Sequence, residues 1–127
     1  MRERITTAYG VLAGLWAALV VLQVFFAGLG IFGASSFDTH KEFGNVLHAL
    51  TAVILLLAIA GPRTGRDIGM AAALFVLVTI QIGLVSARDS APGLAALHPV
   101  LALFALGLAA HIAMHVLRPR RPVAAGT

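Results

Sequence analysis

The chain has 127 residues, 60% of them hydrophobic and 11% charged, with a mean hydropathy of +0.97. A water-soluble domain of this size needs far more polar surface, so composition alone places it in a membrane. The absence of cysteine excludes disulfides, thiolate metal sites and covalent c-type haem attachment, and the net charge of +4 is spent on topology rather than on nucleic acid.

The first apolar run covers about Thr7 to Ala34. It is too long for the core of a signal peptide and reads as a retained helix. The second runs from His40 to Gly61, the third from Ile68 to Ala87 and the fourth from about Leu94 to Leu117. At ~1.5 Å per residue each is long enough to cross ~30 Å of hydrocarbon. The expected fold is therefore an all-α, antiparallel four-helix transmembrane bundle in a single domain, with residues 118–127 as a disordered cytoplasmic tail.

The connections are short. Thr39-His40-Lys41-Glu42 reads as a capping box, with Thr39 as N-cap and His40 as the first residue of the second helix. Gly61 to Asp67 and Arg88 to Gly93 carry ordinary turn chemistry. Pro99 directly follows His98, which makes His98 either the N-cap of the fourth helix or the residue before a kink.

Basic residues set the orientation. Arg2, Arg4, Arg63, Arg66, Arg118, Arg120 and Arg121 fall on one side of the four spans, and only Lys41 and Arg88 on the other. The positive-inside rule puts both termini in the cytoplasm. Eight arginines against one lysine, with abundant Ala and Gly, suit a high-GC bacterial chain. The expected location is the bacterial inner (cytoplasmic) membrane, with the lipid bilayer as the main partner.

Polar side chains inside a membrane are costly and need a reason. The two glutamines, Gln23 and Gln81, each precede a histidine, His40 and His98, by 17 positions. The second pair lies 58 positions after the first. That offset maps the first helix hairpin onto the second and predicts two pseudo-repeats about an axis along the membrane normal. Counting rise per residue puts Gln23, Gln81, His40 and His98 at ~20–31 Å from the cytoplasmic ends. His48 comes out deeper than the other two histidines of this group, at ~20 Å, and His111 and His115 fall near the inner surface.

At 100° per residue, His40, Gly44, His48 and Thr51 share one arc of the second helix, and Gly44 leaves space just inside His40. Ala102, Ala105 and Ala109 lie near the His98 direction on the fourth. Two neutral imidazoles facing each other among small residues suit bis-histidine ligation of haem b, with His40 and His98 on the iron and His48 as a rival ligand. Gln23 and Gln81 would bond haem propionates, a quinone carbonyl or the far nitrogen of a ligand histidine. Electron transfer near the outer face is the function this implies. Two alternatives stand beside it: a non-catalytic subunit of a larger membrane complex, and a quinone-binding protein. No acid pair and no phosphate loop suggest hydrolysis or phosphoryl transfer.

The string Gln23-Val-Phe-Phe-Ala-Gly-Leu-Gly-Ile-Phe-Gly, with His40-Lys-Glu-Phe-Gly44, Gln81 and Leu97-His98-Pro99-Val100, resembles a family of small four-helix membrane proteins of unknown function, common in actinobacteria. More loosely, the four-helix unit with histidines on helices two and four is similar to half of haem A synthase and to cytochrome b561-type proteins. In the synthase pattern an acid precedes the helix-two histidine by three positions, whereas Asp38 precedes His40 by two. The resemblance therefore implies the haem-site geometry and not the synthase activity.

Overall fold

Long apolar runs with no partner for their backbone except themselves become helices, and the structure, a computed structural model, contains no strand among the residues it describes, 1–61 and 64–118. Pro62, Arg63 and the expected tail from Pro119 onward lie outside the described residues. The elements are α1 (Arg2–Ile31), α2 (Asp38–Ala60), α3 (Gly65–Ser86), a short α4 (Pro92–Ala95) and α5 (His98–Leu117). Four stretches, the last running from Pro92 to Leu117, are long and apolar enough to cross a membrane.

The helices form a closed ring in the order α1, α2, α3, α5, with α5 packed back on α1. Short connections make neighbours antiparallel. Consequently α1 and α3 stand at opposite corners, as do α2 and α5. No more than 28% of the most apolar stretch of any span is buried inside the bundle. Val11, Leu15, Val24, Phe25, Val53, Leu56, Ile80 and Phe104 point outward instead. Such an apolar exterior belongs in lipid.

The interior is filled by a few large side chains set among alanines. Trp16, Tyr9, Ile54, Leu74 and Ile112 are fully buried, with Ala13, Ala58, Ala71, Ala105 and Ala109 around them. On the α1–α5 seam the Cα of Gly14 faces the Cβ of Ala113, and Gly10 faces Val116 and Leu117. Small residues let the two backbones approach. Buried polar hydrogens are satisfied across and within helices: the Trp16 Nε1–H of α1 donates to the Leu47 carbonyl of α2 at 2.8 Å, and the Thr51 hydroxyl to the His48 carbonyl of its own helix at 2.6 Å.

Helix ends depart from the sequence expectation at three places. First, α1 starts at Arg2 rather than near Thr7 and stops at Ile31. Gly33, with φ +71°, ends it in a Schellman turn, in which the Ala34 N–H bonds the Leu29 carbonyl and the Gly33 N–H the Gly30 carbonyl.

Second, the expected capping box at Thr39 and Glu42 does not form, because α2 begins earlier, with Phe37 as N-cap and Asp38 as its first residue. Thr39 is already inside the helix. The Ser36 hydroxyl accepts from the Asp38 N–H instead. A capping box does form at Thr64, whose hydroxyl accepts from the Asp67 N–H while the Asp67 carboxylate accepts from the Thr64 N–H.

Third, the fourth span is not one continuous helix from Leu94. It breaks at residues 96–97, and His98 becomes the first residue of α5 with Pro99 next to it. A proline in the first turn has no N–H to lose, so a helix starts there at little cost.

Candidate functional site: the Gln23–His40 and Gln81–His98 pairs

The site lies at the end of the bundle where α1 ends, α2 starts, α3 ends and α5 starts. His40 enters from the first turn of α2 and His98 from the first residue of α5. Their rings meet edge to face, with centroids 6.2 Å apart and planes at 74°. Both are half-buried.

Each ring is held from the side by a neighbouring long helix, His40 by α1 and His98 by α3. His40 Nδ1 lies 3.1 Å from the main-chain carbonyl of Gln23, and His98 Nδ1 lies 3.0 Å from that of Gln81. A carbonyl only accepts, so in both histidines Nδ1 carries the proton and donates it. In the neutral ring the lone pair is then on Nε2. A backbone partner of this kind fixes tautomer and ring orientation together.

The glutamine side chains differ. Gln23 folds onto its histidine: its amide N–H donates to the His40 carbonyl at 2.8 Å, and the same nitrogen stands 3.4 Å from His40 Nε2. It occupies the space beside Gly44, where a Cβ would stand 2.9 Å from Gln23 Nε2. The gap expected inside His40 is therefore filled by an amide. Gln81 is 9% exposed and makes no side-chain hydrogen bond among the described residues. In both glutamines the side-chain oxygen Oε1 is buried with no hydrogen-bond partner. Buried acceptors left in this way are uncommon and costly.

The remaining histidines lie elsewhere. His48 belongs to the α2–α3 seam, its Nε2 at 2.8 Å from the Thr79 hydroxyl and its ring stacked on Phe75 at 5.3 Å. Thr79 gives its own hydrogen to the Phe75 carbonyl, so it accepts from His48. His48 Nε2 is thus protonated, the opposite tautomer to the pair. His111 and His115 stack on each other, exposed, at the other end of the bundle, with His115 Nε2 at 3.7 Å from Asp67 Oδ1. Ala105 and Ala109 are buried, below His98 on α5, and Ala102 is partly buried.

Two contacts at the site were not apparent from the sequence. Phe37 sets its ring edge-on to His40 at 6.3 Å and lies against Gly30, where a Cβ would be 2.9 Å from the ring. The glycine run 28–33 was the available signal, since an aromatic at the N-cap of the next helix needs a small neighbour to sit down on. Thr79 had no signal at all beyond being a hydroxyl in an apolar run.

A family model described as a family of unknown function (DUF6220) matches residues 23–88, just over half of the chain. The chain belongs to that family. The match begins at Gln23 and takes in His40, Gly44, His48 and Gln81, ending before His98. No curated protein and no solved structure matches, so the looser likeness to haem A synthase and cytochrome b561 proteins gains no support from either comparison. For this DUF6220 member, any function is argued from the site alone.

Proposed function

We propose that the protein binds haem b between His40 and His98 and carries electrons near one face of the membrane. The observation that carries this reading is the pair of opposed imidazoles with their lone pairs assigned to Nε2. Two imidazole nitrogens each ~2 Å from a metal hold their ring centroids ~6 Å apart, and here the centroids are 6.2 Å apart. Among the described residues no three His, Cys, Asp or Glu side chains gather to hold a bare metal ion. A haem needs only two protein ligands, because the macrocycle supplies the other four.

The other side chains fit the same reading. Gln23 and Gln81 enter from α1 and α3, the two corners beside the His40–His98 pair, and would border a group held between the two rings. Their unpaired Oε1 atoms would accept from a protonated propionate or a bridging water there. The bound group would supply a reversible one-electron centre. The protein's part is to hold both Nε2 atoms in place, exclude water with Trp16, Leu47 and their neighbours, and keep the pocket uncharged. Low polarity of this kind favours the reduced, less charged state.

We further infer that the two hairpins are repeats of one unit. The matching Nδ1-to-carbonyl bonds, 17 residues apart in each hairpin, support that reading. With both termini in the cytoplasm of a bacterium, as the arginine distribution favours, the site faces outward.

The test is an absorption spectrum of protein purified in mild detergent after expression with added haem precursor. A Soret band is expected, with most of it lost in the double variant His40→Ala/His98→Ala. No band from the parent protein overturns the proposal. Co-purification of a stable partner, with function untouched in both single variants, would favour an accessory subunit.

A further inference from the structure

Charge is handled differently at the two ends of the bundle. At the end that holds the histidine pair, both cations are matched: Lys41 lies 3.4 Å from Asp38 and Arg88 3.5 Å from Asp89. At the opposite end α1 begins, α2 ends, α3 begins and α5 ends. Arg2, Arg4, Arg66 and Arg118 stand there exposed, and none of them makes an ion pair among the described residues. The carboxylates of that end are Glu3 and Asp67, and Asp67 is buried, with Thr64 and His115 beside it. Among the described residues, then, four exposed guanidinium groups face a single exposed carboxylate, Glu3.

One of these arginines stands in an apolar groove. Arg4, Ile5 and Ala8 share one face of α1. Together with Met1 and with Leu57 of α2 they line an open groove of about 520 Å³. Apart from the guanidinium, no lining side chain is polar. Val11 and Leu15 continue the face of Arg4 and Ala8 away from the charged end, Val53 continues that of Leu57, and all three are exposed. The groove therefore runs on into the lipid-facing surface. A smaller groove at the same end, about 360 Å³, combines Ala113, Met114 and Leu117 with Arg118, so the arrangement recurs on α5.

We propose that the groove between α1 and α2 binds an anionic phospholipid, with the phosphate on Arg4 and an acyl chain along Ile5, Ala8 and Leu57. Water alone would satisfy the guanidinium and leave the apolar walls wet. A neutral hydrocarbon would cover the walls and leave the guanidinium without an anion. A negative headgroup carrying a hydrocarbon tail meets both needs, and the planar guanidinium can pair two phosphate oxygens at once. The surplus of arginines also selects among lipids. A choline headgroup brings its own cation into that field, whereas a glycerol headgroup leaves the phosphate charge uncompensated. A second copy of the chain is a poorer occupant. Inserted in the same direction, it would bring its own arginines against these, and like charges oppose association.

Native mass spectrometry tests this, because it counts lipids retained by mass. The full chain is released from micelles holding equal amounts of palmitoyl-oleoyl phosphatidylglycerol and phosphatidylcholine. The parent is expected to retain phosphatidylglycerol over phosphatidylcholine by ~5-fold or more, the worth of one basic residue at an anionic membrane surface. Arg4→Gln should lose most of that preference. Arg66→Gln makes the same change of charge at the same end, outside both grooves, and should keep it. Ala8→Phe fills the groove without altering charge and should lose the bound lipid. All three side chains are exposed, so the fold is expected to persist, and unfolding followed by Trp16 fluorescence checks that it does.

Equal retention of the two lipids by the parent overturns the proposal. An equal loss in Arg4→Gln and Arg66→Gln also overturns it, since that marks diffuse attraction to charge rather than a site. So does unchanged retention in Ala8→Phe, or a lipid-free dimer of the parent, which would put a second copy in the groove. None of these outcomes bears on the haem reading.

Discussion

His40 and His98 face each other at 6.2 Å although they stand on α2 and α5, which occupy opposite corners of the bundle. Each reaches across because its ring is braced on the backbone of a neighbouring long helix, His40 on Gln23 of α1 and His98 on Gln81 of α3. The braces use main-chain carbonyls within α1 and α3. Residue 23 lies in the last three turns of α1 and residue 81 in the last two of α3, so each brace joins the far end of one helix to the near end of the next long helix.

His48 lies away from this pair, and that can be measured. His48→Ala is expected to leave the Soret band and its position unchanged. It should still destabilise the protein by ~1 kcal/mol, because it removes the bond to Thr79 and the stacking on Phe75. Unfolding in detergent mixtures, followed by the fluorescence of the single buried Trp16, gives the stability. A lost Soret band in this variant would place His48, not His40, at the iron.

The α1–α5 seam predicts a contrast between two glycines. A Cβ at Gly10 would stand 2.8 Å from Val116 and 3.0 Å from Leu117, whereas one at Gly69 would meet nothing within 4 Å. Gly10→Ala is expected to cost ~1–3 kcal/mol through overpacking. Gly69→Ala should be neutral or stabilising by up to ~1 kcal/mol, as alanine is the better helix former. The same fluorescence-detected unfolding compares them, and equal effects would mean that the seam is looser than described.

Thr64 anchors the start of α3. Thr64→Ala removes both the acceptor for the Asp67 N–H and the donor, at 2.8 Å, to the Asp67 carboxylate. The expected loss is ~1 kcal/mol of stability, typical for a helix cap. Thr64→Ser should restore most of it. Hydrogen exchange at the first turn of α3 would rise in the alanine variant and not in the serine one. The corresponding change at Thr39, the cap expected from sequence, should do little, because α2 is already helical there.

The sequence by itself determined the architecture. Four apolar runs of about twenty residues, with no soluble alternative for their backbones, leave only a helical bundle in lipid. The short connections then leave each helix packed against the next. The meeting of Gln23, His40, Gln81 and His98 at one end was also legible, since rise per residue converts position into depth. Rotation and register were not. Which face of α2 turns inward depends on how α1 and α5 close over it; the 17-residue spacing singled out His40, while the shared arc of α2 kept His48 as a rival. Only the packed bundle sends His48 to Thr79 and His40 to His98. Nor did composition hint that the gap beside Gly44 would be filled by the amide of Gln23. A side chain with three rotatable bonds takes the place its neighbours leave for it, and that place exists only once α1 and α2 have met. The paired spacing from Gln to His was written in the chain; the inequality between the two pairs was decided by packing.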